Sequence, residues 1–283
     1  MKILITGDEG FVGREFHRQL TDHDITGVDL KSGQDCRDFF QYSKTVFDLV
    51  IHLAAIVGGR MTIEGNPLSV ADDLSIDAEM FNWALRTKQK RIVYFSSSAA
   101  YPIELQTRPY LLKEPDINLK DIRNPDLTYG WAKLTGEYLA QFANQAGVPT
   151  HVFRPFSGYG ADQDLDYPFP SFIRRARDHN NPFDIWGDGN QVRDFIHISD
   201  IVSAVMAAVA VDYRKPLNLG CGRPTSFNQL AAMVSREVDY NPEINHIIDN
   251  PVGVSYRASN NRNMLDVYVP KISLEQGIAM ALR

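Results

Sequence analysis

Short, almost wholly apolar runs alternate along this chain with longer stretches in which apolar residues recur every three or four positions. The runs at 2–7 (KILITG), 25–30 (ITGVDL), 47–55 (FDLVIHLAA), 91–97 (RIVYFSS) and 149–155 (PTHVFRP) predict strands. Their nearly continuous apolar character predicts burial on both faces. Phe11, Val12, Phe16 and Leu20 predict a first helix. Leu74, Ala78, Phe81 and Leu85 predict a second over 72–89, and Leu127, Trp131, Leu134, Tyr138 and Phe142 a third over 127–146. Strands alternating with helices make a parallel sheet covered on both sides. After Pro155 the texture changes. GYGADQDLDYPFP is a loop rich in Gly, Asp and Pro, and the later elements are shorter. They are a helix near 171–179, a strand near 183–186, a helix near 199–211, a strand at 217–220, a helix near 226–238 and a last helix from Ser273. The pattern divides the chain into a sheet domain at 1–160, rejoined by 190–222, and a smaller lobe from 161–189 and 223–283.

Composition narrows the function without choosing it. A chain of 283 residues buries a large core as one domain or two unequal ones. The net charge of −6 weighs against nucleic acid as a partner, yet local cationic sites can still take an anionic ligand. Cys36 and Cys221 stand far apart and without metal-ligand spacing, so neither a disulfide framework nor a metal site is expected. That points to the reduced cytoplasm. No apolar run is long enough to span a membrane, and a strand starting at residue 2 leaves no room for a signal peptide.

Three patterns carry chemistry. Gly7, Gly10 and Gly13 lie in TGDEGFVG, between the first strand and its helix. There the backbone can turn tightly and approach a pyrophosphate, which the helix N-terminus at Phe11 and Val12 favours. Asp29 ends the second strand, where a carboxylate accepts both ribose hydroxyls of an adenosine and repels a 2′-phosphate. This favours NAD over NADP, although Lys31 nearby offers a cation to such a phosphate. Asp35, in DCRD, reaches the adenine edge or sits in a surface turn. Tyr129 and Lys133 are four apart on a predicted helix and therefore share a face. A free phenol, with a pKa of about 10, is a poor base at neutral pH. A neighbouring ammonium favours the phenolate.

These motifs, with HLAA (52–55), SSSAAYP (96–102), FRP (153–155) and WGDGNQVRDFIHISD (186–200), resemble the extended short-chain dehydrogenase/reductases of the nucleotide-sugar epimerase/dehydratase family. The resemblance implies an α/β fold of Rossmann type, a doubly wound parallel sheet with a smaller C-terminal substrate-binding lobe. It implies NAD held by Gly7, Gly10, Phe11, Val12, Gly13, Asp29, Asp35, Leu53, Ala54, Ala55, Tyr129, Lys133 and Pro155. It makes Ser97, Tyr129 and Lys133 catalytic, with Ser98 able to exchange roles with Ser97 through a one-residue shift. A nucleotide-diphosphate sugar, of GDP or UDP, falls to Ser98, Ser157, Arg193 and Arg257; many relatives have Asn at the place of Ser157. A homodimer through the helices at 72–89 and 127–146 is also implied.

The choice of reaction rests on absences. Dehydratases of the family resemble STDEVYG, with Asp and Glu after the catalytic hydroxyl; here Ser98 and Ala99 follow Ser97. AAIVGG (54–59) and the Ser-Ser-x-x-Tyr-Pro strand end are nearest in texture to GDP-mannose 3,5-epimerase and GDP-fucose synthase. Both of those have a proton-moving cysteine where this chain has Ala99, and only Tyr167 or Asp166 could substitute. The expectation is therefore 4-epimerisation through a 4-keto sugar. The alternatives are keto-sugar reduction, 3,5-epimerisation with reduction, and a non-catalytic NAD sensor. A steroid- or flavanone-like substrate fits less well, because WGDGNQVRDF is polar and cationic.

Overall fold

The buried runs hydrogen-bond to one another across long sequence separations. In the computed structural model, which describes residues 1–56 and 65–283, six of them build one sheet. These are β1 (Lys2–Thr6), β2 (Asp24–Val28), β3 (Leu49–His52), β4 (Ile92–Phe95), β6 (Thr150–Pro155) and β10 (Leu217–Leu219), in the order β10-β6-β4-β3-β1-β2. Every pairing is parallel. Alternate residues of each strand point to opposite faces. On one face α1 (Phe11–Gln19) and α6 (Ile198–Ala210) cover Ile3, Ile5, Ile51, Val93, Phe95 and Phe153. On the other, α2 (Cys36–Tyr42), α3 (Val70–Thr87) and α4 (Leu127–Gln145) cover Leu4, Val50, Ile92, Tyr94 and Val152. This is the doubly wound Rossmann-type α/β sheet. The strand order reverses between β1 and β3, so the loops after these two strands open a crevice at the sheet's carboxyl edge. Of the AAIVGG stretch, residues 57–59 lie outside the described residues.

The remaining strands form smaller sheets. β11 (Pro224–Ser226), β9 (Val192–His197), β13 (Tyr256–Ser259) and β5 (Leu111–Leu112) pair in that order, and β7 (Ser157–Tyr159) joins the far half of β9. β8 (Phe183–Trp186) pairs with β12 (Ile244–Ile247). A third core of Phe169, Phe172, Leu230, Val234 and Ile278 gathers α5 (Pro168–Arg177), α7 (Phe227–Glu237) and α9 (Leu274–Leu282). The one-turn helix α8 (Arg262–Leu265) precedes α9. Ser226 and Ser273 cap α7 and α9, each with a Gln three residues on that reaches back to its backbone.

Two differences from the pattern reading have physical causes. α2 is a helix that the periodicity does not predict: Asp35, read as reaching the adenine edge or sitting in a surface turn, caps it by accepting the Arg37 N–H while Cys36 and Phe40 are buried. The stripes of α3 and α4 are the second difference. Leu74 (37%), Leu85 (39%), Trp131 (43%), Tyr138 (41%) and Phe142 (47%) are exposed. Leu134 of the predicted stripe is buried, and the rest of the inner face of α4 is Gly130, Ala132, Lys133, Gly136, Glu137, Ala140 and Ala143. A Cβ on Gly136 would strike the Tyr94 hydroxyl, so α4 lies too close to β4 for large side chains there. Among the described residues no helix is long and apolar enough to cross a membrane. Cys36 and Cys221 are free thiols.

Candidate active site

The crevice starts with the glycine loop. Gly7 follows β1 at φ +71°, in the left-handed region. A Cβ there would sit 2.9 Å from the Ala54 nitrogen, so the loop after β3 lies directly against it. A Cβ on Gly13 would press on the Gly7 carbonyl and the Asp8 backbone. Gly10 is the N-cap of α1, without a side-chain cap and without acidic residues in the first turn. The N–H groups of Phe11 and Val12 at this positive helix end are thus available to an anion, and the cradle fits the diphosphate of a dinucleotide. Leu53 and Ala54 are tied to this loop through Thr6: its carbonyl takes the Leu53 N–H (3.1 Å) and its hydroxyl the Ala54 N–H (3.3 Å).

Asp29 stands at the mouth of the cradle. Its carboxylate accepts the N–H of Glu9 (3.0 Å) and of Lys31 (2.8 Å), and the Lys31 ammonium reaches the Glu9 carbonyl (3.3 Å). Asp35 is engaged otherwise. It caps α2 and binds the Arg37 guanidinium at 2.7 Å, which holds its carboxyl below the usual carboxylate range. Pro155 closes β6, opposite Leu219 of β10.

The three serines after β4 do three different things. Ser96 donates to Glu137 at 2.5 Å, beside the buried Glu137–Arg154 pair. Ser97 accepts the Ala99 N–H at 3.1 Å, opening a 3-10 turn (Ser98–Ala100), and its hydroxyl lies close enough to the Tyr129 phenol to favour its ionised form. Ser98 is buried within that turn, as is Ala99. Lys133 lies one turn along α4 with its Nζ 5.7 Å from the centre of the Tyr129 ring. The structure therefore brings Ser97, Tyr129 and Lys133 together.

The charges around this group oppose one another. Burial raises the Tyr129 pKa, Lys133 lowers it, Asp73 raises it, the Ser97 hydroxyl lowers it and Asp77 raises it; the balance is upward. Burial alone would lower the Lys133 pKa, but Tyr129, Asp77 and Asp73 outweigh it and hold the ammonium protonated. Asp73 and Asp77 were not singled out in the sequence. Their one local signal is the spacing of two acids four apart in the helix pattern of α3, which does not show what they meet.

On the far side of the crevice, Arg193 of β9 and Arg257 of β13 are register partners on parallel strands, so they stand side by side. Arg193 donates to the carbonyls of Val192 (2.8 Å) and Val254 (2.9 Å) and lies over the Phe227 ring. Arg257 pairs with Asp126 at 2.5 Å, which ties β13 to the N-cap of α4, three residues before Tyr129. Ser157 begins β7 opposite Phe195. Tyr167 is the N-cap of α5; burial, with Tyr129 contributing, pushes its phenol up to about 12.

The model of the NAD dependent epimerase/dehydratase family matches residues 3–220. The chain is 28% identical over 308 residues to GDP-mannose 3,5-epimerase of Arabidopsis thaliana, covering 98% of this chain and 80% of that protein. It is 24% identical to GDP-L-fucose synthase 1 of the same plant, covering 98% and 91%. The fold is similar to that of the UDP-glucose 4-epimerase of Thermotoga maritima, solved with UDP-glucose, at a TM-score of 0.86 and 22% identity, covering 100% and 97% of the two chains. With more than three quarters of its length matched by the family model, the chain belongs to the NAD dependent epimerase/dehydratase family.

Proposed function

We propose that the protein is an NAD-dependent nucleotide-sugar epimerase acting at C4 through a 4-keto intermediate. The observation that carries this reading is the Ser97-Tyr129-Lys133 group with Ala99, a residue that has no proton to move, in the adjoining turn. The glycine cradle, Leu53, Ala54, Ala55 and Pro155 line the place of the cofactor, and Asp29 meets its adenosine ribose. When bound, the nicotinamide supplies hydride acceptance from, and return to, one sugar carbon. Tyr129 takes the hydroxyl proton of that carbon as its hydride leaves and gives a proton back to the oxygen when hydride returns to the other face. Ser97 orients the sugar oxygen, and Lys133 stabilises the phenolate. Ser98 and Ser157 contact the sugar. Arg193 and Arg257, neighbours in register, offer the fork geometry that a diphosphate of GDP or UDP requires. The lobe built on the third core, 161–189 with 223–283, carries the substrate. Free thiols suit the reduced cytoplasm.

The test is a panel of UDP- and GDP-sugars incubated with NAD⁺ and analysed by mass spectrometry and NMR. A product of unchanged mass, inverted at C4 and retaining a C4 deuterium label, is expected. Loss of water, or exchange at C3 or C5, excludes this reading. Tyr129→Phe is expected to lower turnover by about 10²–10⁴-fold.

A second reading, reduction of a keto sugar, is favoured by Asp73 and Asp77, which work to keep Tyr129 in the phenol form that donates a proton to a ketone oxygen. Consumption of reduced nicotinamide with a 4-keto sugar, and no reaction with the panel, would select it.

A further inference from the structure

Behind the Ser97-Tyr129-Lys133 group lies a polar cluster for which the proposed reaction has no use. Asp73 and Asp77 are one turn apart on the inner side of α3, 3% and 2% exposed. Asp77 Oδ2 accepts the Tyr94 hydroxyl at 2.5 Å, and its Oδ1 is 3.1 Å from His52 Nε2. His52 Nδ1 is in turn 2.8 Å from the hydroxyl of Thr6, the residue before the glycine loop. Asp73 accepts the Ile56 N–H at 2.5 Å. The Lys133 ammonium stands 5.5 Å from the centre of the Tyr94 ring, whose hydroxyl Asp77 holds. Burying two carboxylates beside one ammonium is costly, and apolar side chains would pack α3 at less cost.

We propose that Asp73 and Asp77 are positioning residues: with the Tyr94 hydroxyl that Asp77 holds under Lys133, they form a negative floor that fixes the Lys133 ammonium beside Tyr129 and sets the charge balance of the pair. This rests on the reading of Tyr129 and Lys133 given above. Tyr129 is faced by Lys133 on its own helix, by Asp73 and Asp77 from α3, by Ser97 at the end of β4 and by Tyr167 before α5. Tyr94 and His52 stand behind Asp77, and Glu137, one turn beyond Lys133, is neutralised by Arg154. Burial opposes charge on both acids. Hydrogen bonds from His52 and Tyr94, with the Lys133 charge, still hold Asp77 below its ordinary range. For Asp73, burial prevails over Lys133 and the Ile56 N–H, and its carboxyl is held above. Asp77 is therefore the more constant charge of the two.

The full chain is titrated by tyrosinate absorbance, and the difference between wild type and Tyr129→Phe isolates the Tyr129 phenol. Asp77→Asn keeps an acceptor for Tyr94 and removes the charge. In that background the Tyr129 ionisation is expected to move to lower pH by about one unit, a tenfold gain in phenolate at fixed pH. Asp73→Asn moves it the same way and carries the test should Asp77→Asn fail to fold. An unmoved ionisation in both variants overturns the proposal and leaves the role of Tyr129 standing. An equal displacement in Tyr94→Phe, which alters packing and removes no charge, also overturns it. Wild type and Tyr129→Phe titrating alike overturns the assignment of Tyr129 and the proposal together.

Discussion

Gly136 shows how one missing side chain shapes the site. It lies between Lys133 and Glu137 on α4, and a Cβ there would strike the Tyr94 hydroxyl and approach Asp77 Oδ2 to 2.7 Å. Gly136→Ala is expected to destabilise the protein by about 1–3 kcal/mol, because the backbone must shift to admit the methyl group. Urea unfolding measures it, and a gain in stability would mean that Tyr94 turns away freely. At this scale the sequence was readable where the chemistry is local. Gly7, Gly10 and Gly13 share one turn, and Tyr129 and Lys133 share one helix face, so spacing alone placed them together. Asp77 was not readable. Its partners His52 and Tyr94 come from β3 and β4, and nothing in the local sequence of α3 shows which buried strands it meets.

α4 has two working faces. The inner one carries Tyr129 and Lys133, and the outer one presents Trp131, Tyr138 and Phe142, the last two packed edge to face at 5.0 Å. With Leu74 and Leu85 of α3 these form an apolar surface of the kind that marks an interface. We propose that a second copy of the chain packs there, making a homodimer. Light scattering of the wild type is expected to give twice the chain mass. Trp131→Glu with Phe142→Glu is expected to give one chain mass, with the fold retained. A dimer that survives both changes lies elsewhere. Periodicity located α3 and α4, and Phe81 of α3 and Leu134 of α4 are buried as their stripes predict, yet it could not say that Trp131, Tyr138 and Phe142 of α4 face outward. Small residues and charges fill the inner side, which a hydrophobic count discards. β9 and β13 were missed for a related reason. Their short, mixed stretches, such as Val192-Arg193-Asp194, lack the alternation that marks a strand, and Asp194 is buried by accepting the N–H groups of Cys221, Gly222 and Ser259.

Across the whole molecule, two histidines couple folding to pH. His151 in β6 is enclosed where the sheet meets the end of α6. Its Nδ1 is 2.7 Å from the Tyr213 carbonyl, while its Nε2 is buried without a hydrogen bond, 3.6 Å from the half-exposed Asp212. Burial holds its pKa below the ordinary histidine value, and the Arg214 and Arg91 charges add to this against the Tyr213 carbonyl and Asp212. His197, the N-cap of α6, is likewise held down by burial against Asp200 and Glu15. A group whose folded pKa is depressed binds its proton more weakly in the native state than in the unfolded chain. Its contribution to stability is therefore complete above the unfolded value of about 6.5 and is lost as pH falls toward the folded one. Thermal unfolding is expected at progressively lower temperature as pH falls from about 7 to about 5, each tenfold difference in proton affinity counting about 1.4 kcal/mol. His151→Asn keeps a donor for the Tyr213 carbonyl and cannot be protonated, so it should flatten this slope while leaving the order of the sheet intact. A slope unchanged in that variant would assign the acid sensitivity to His197 and the carboxylates instead.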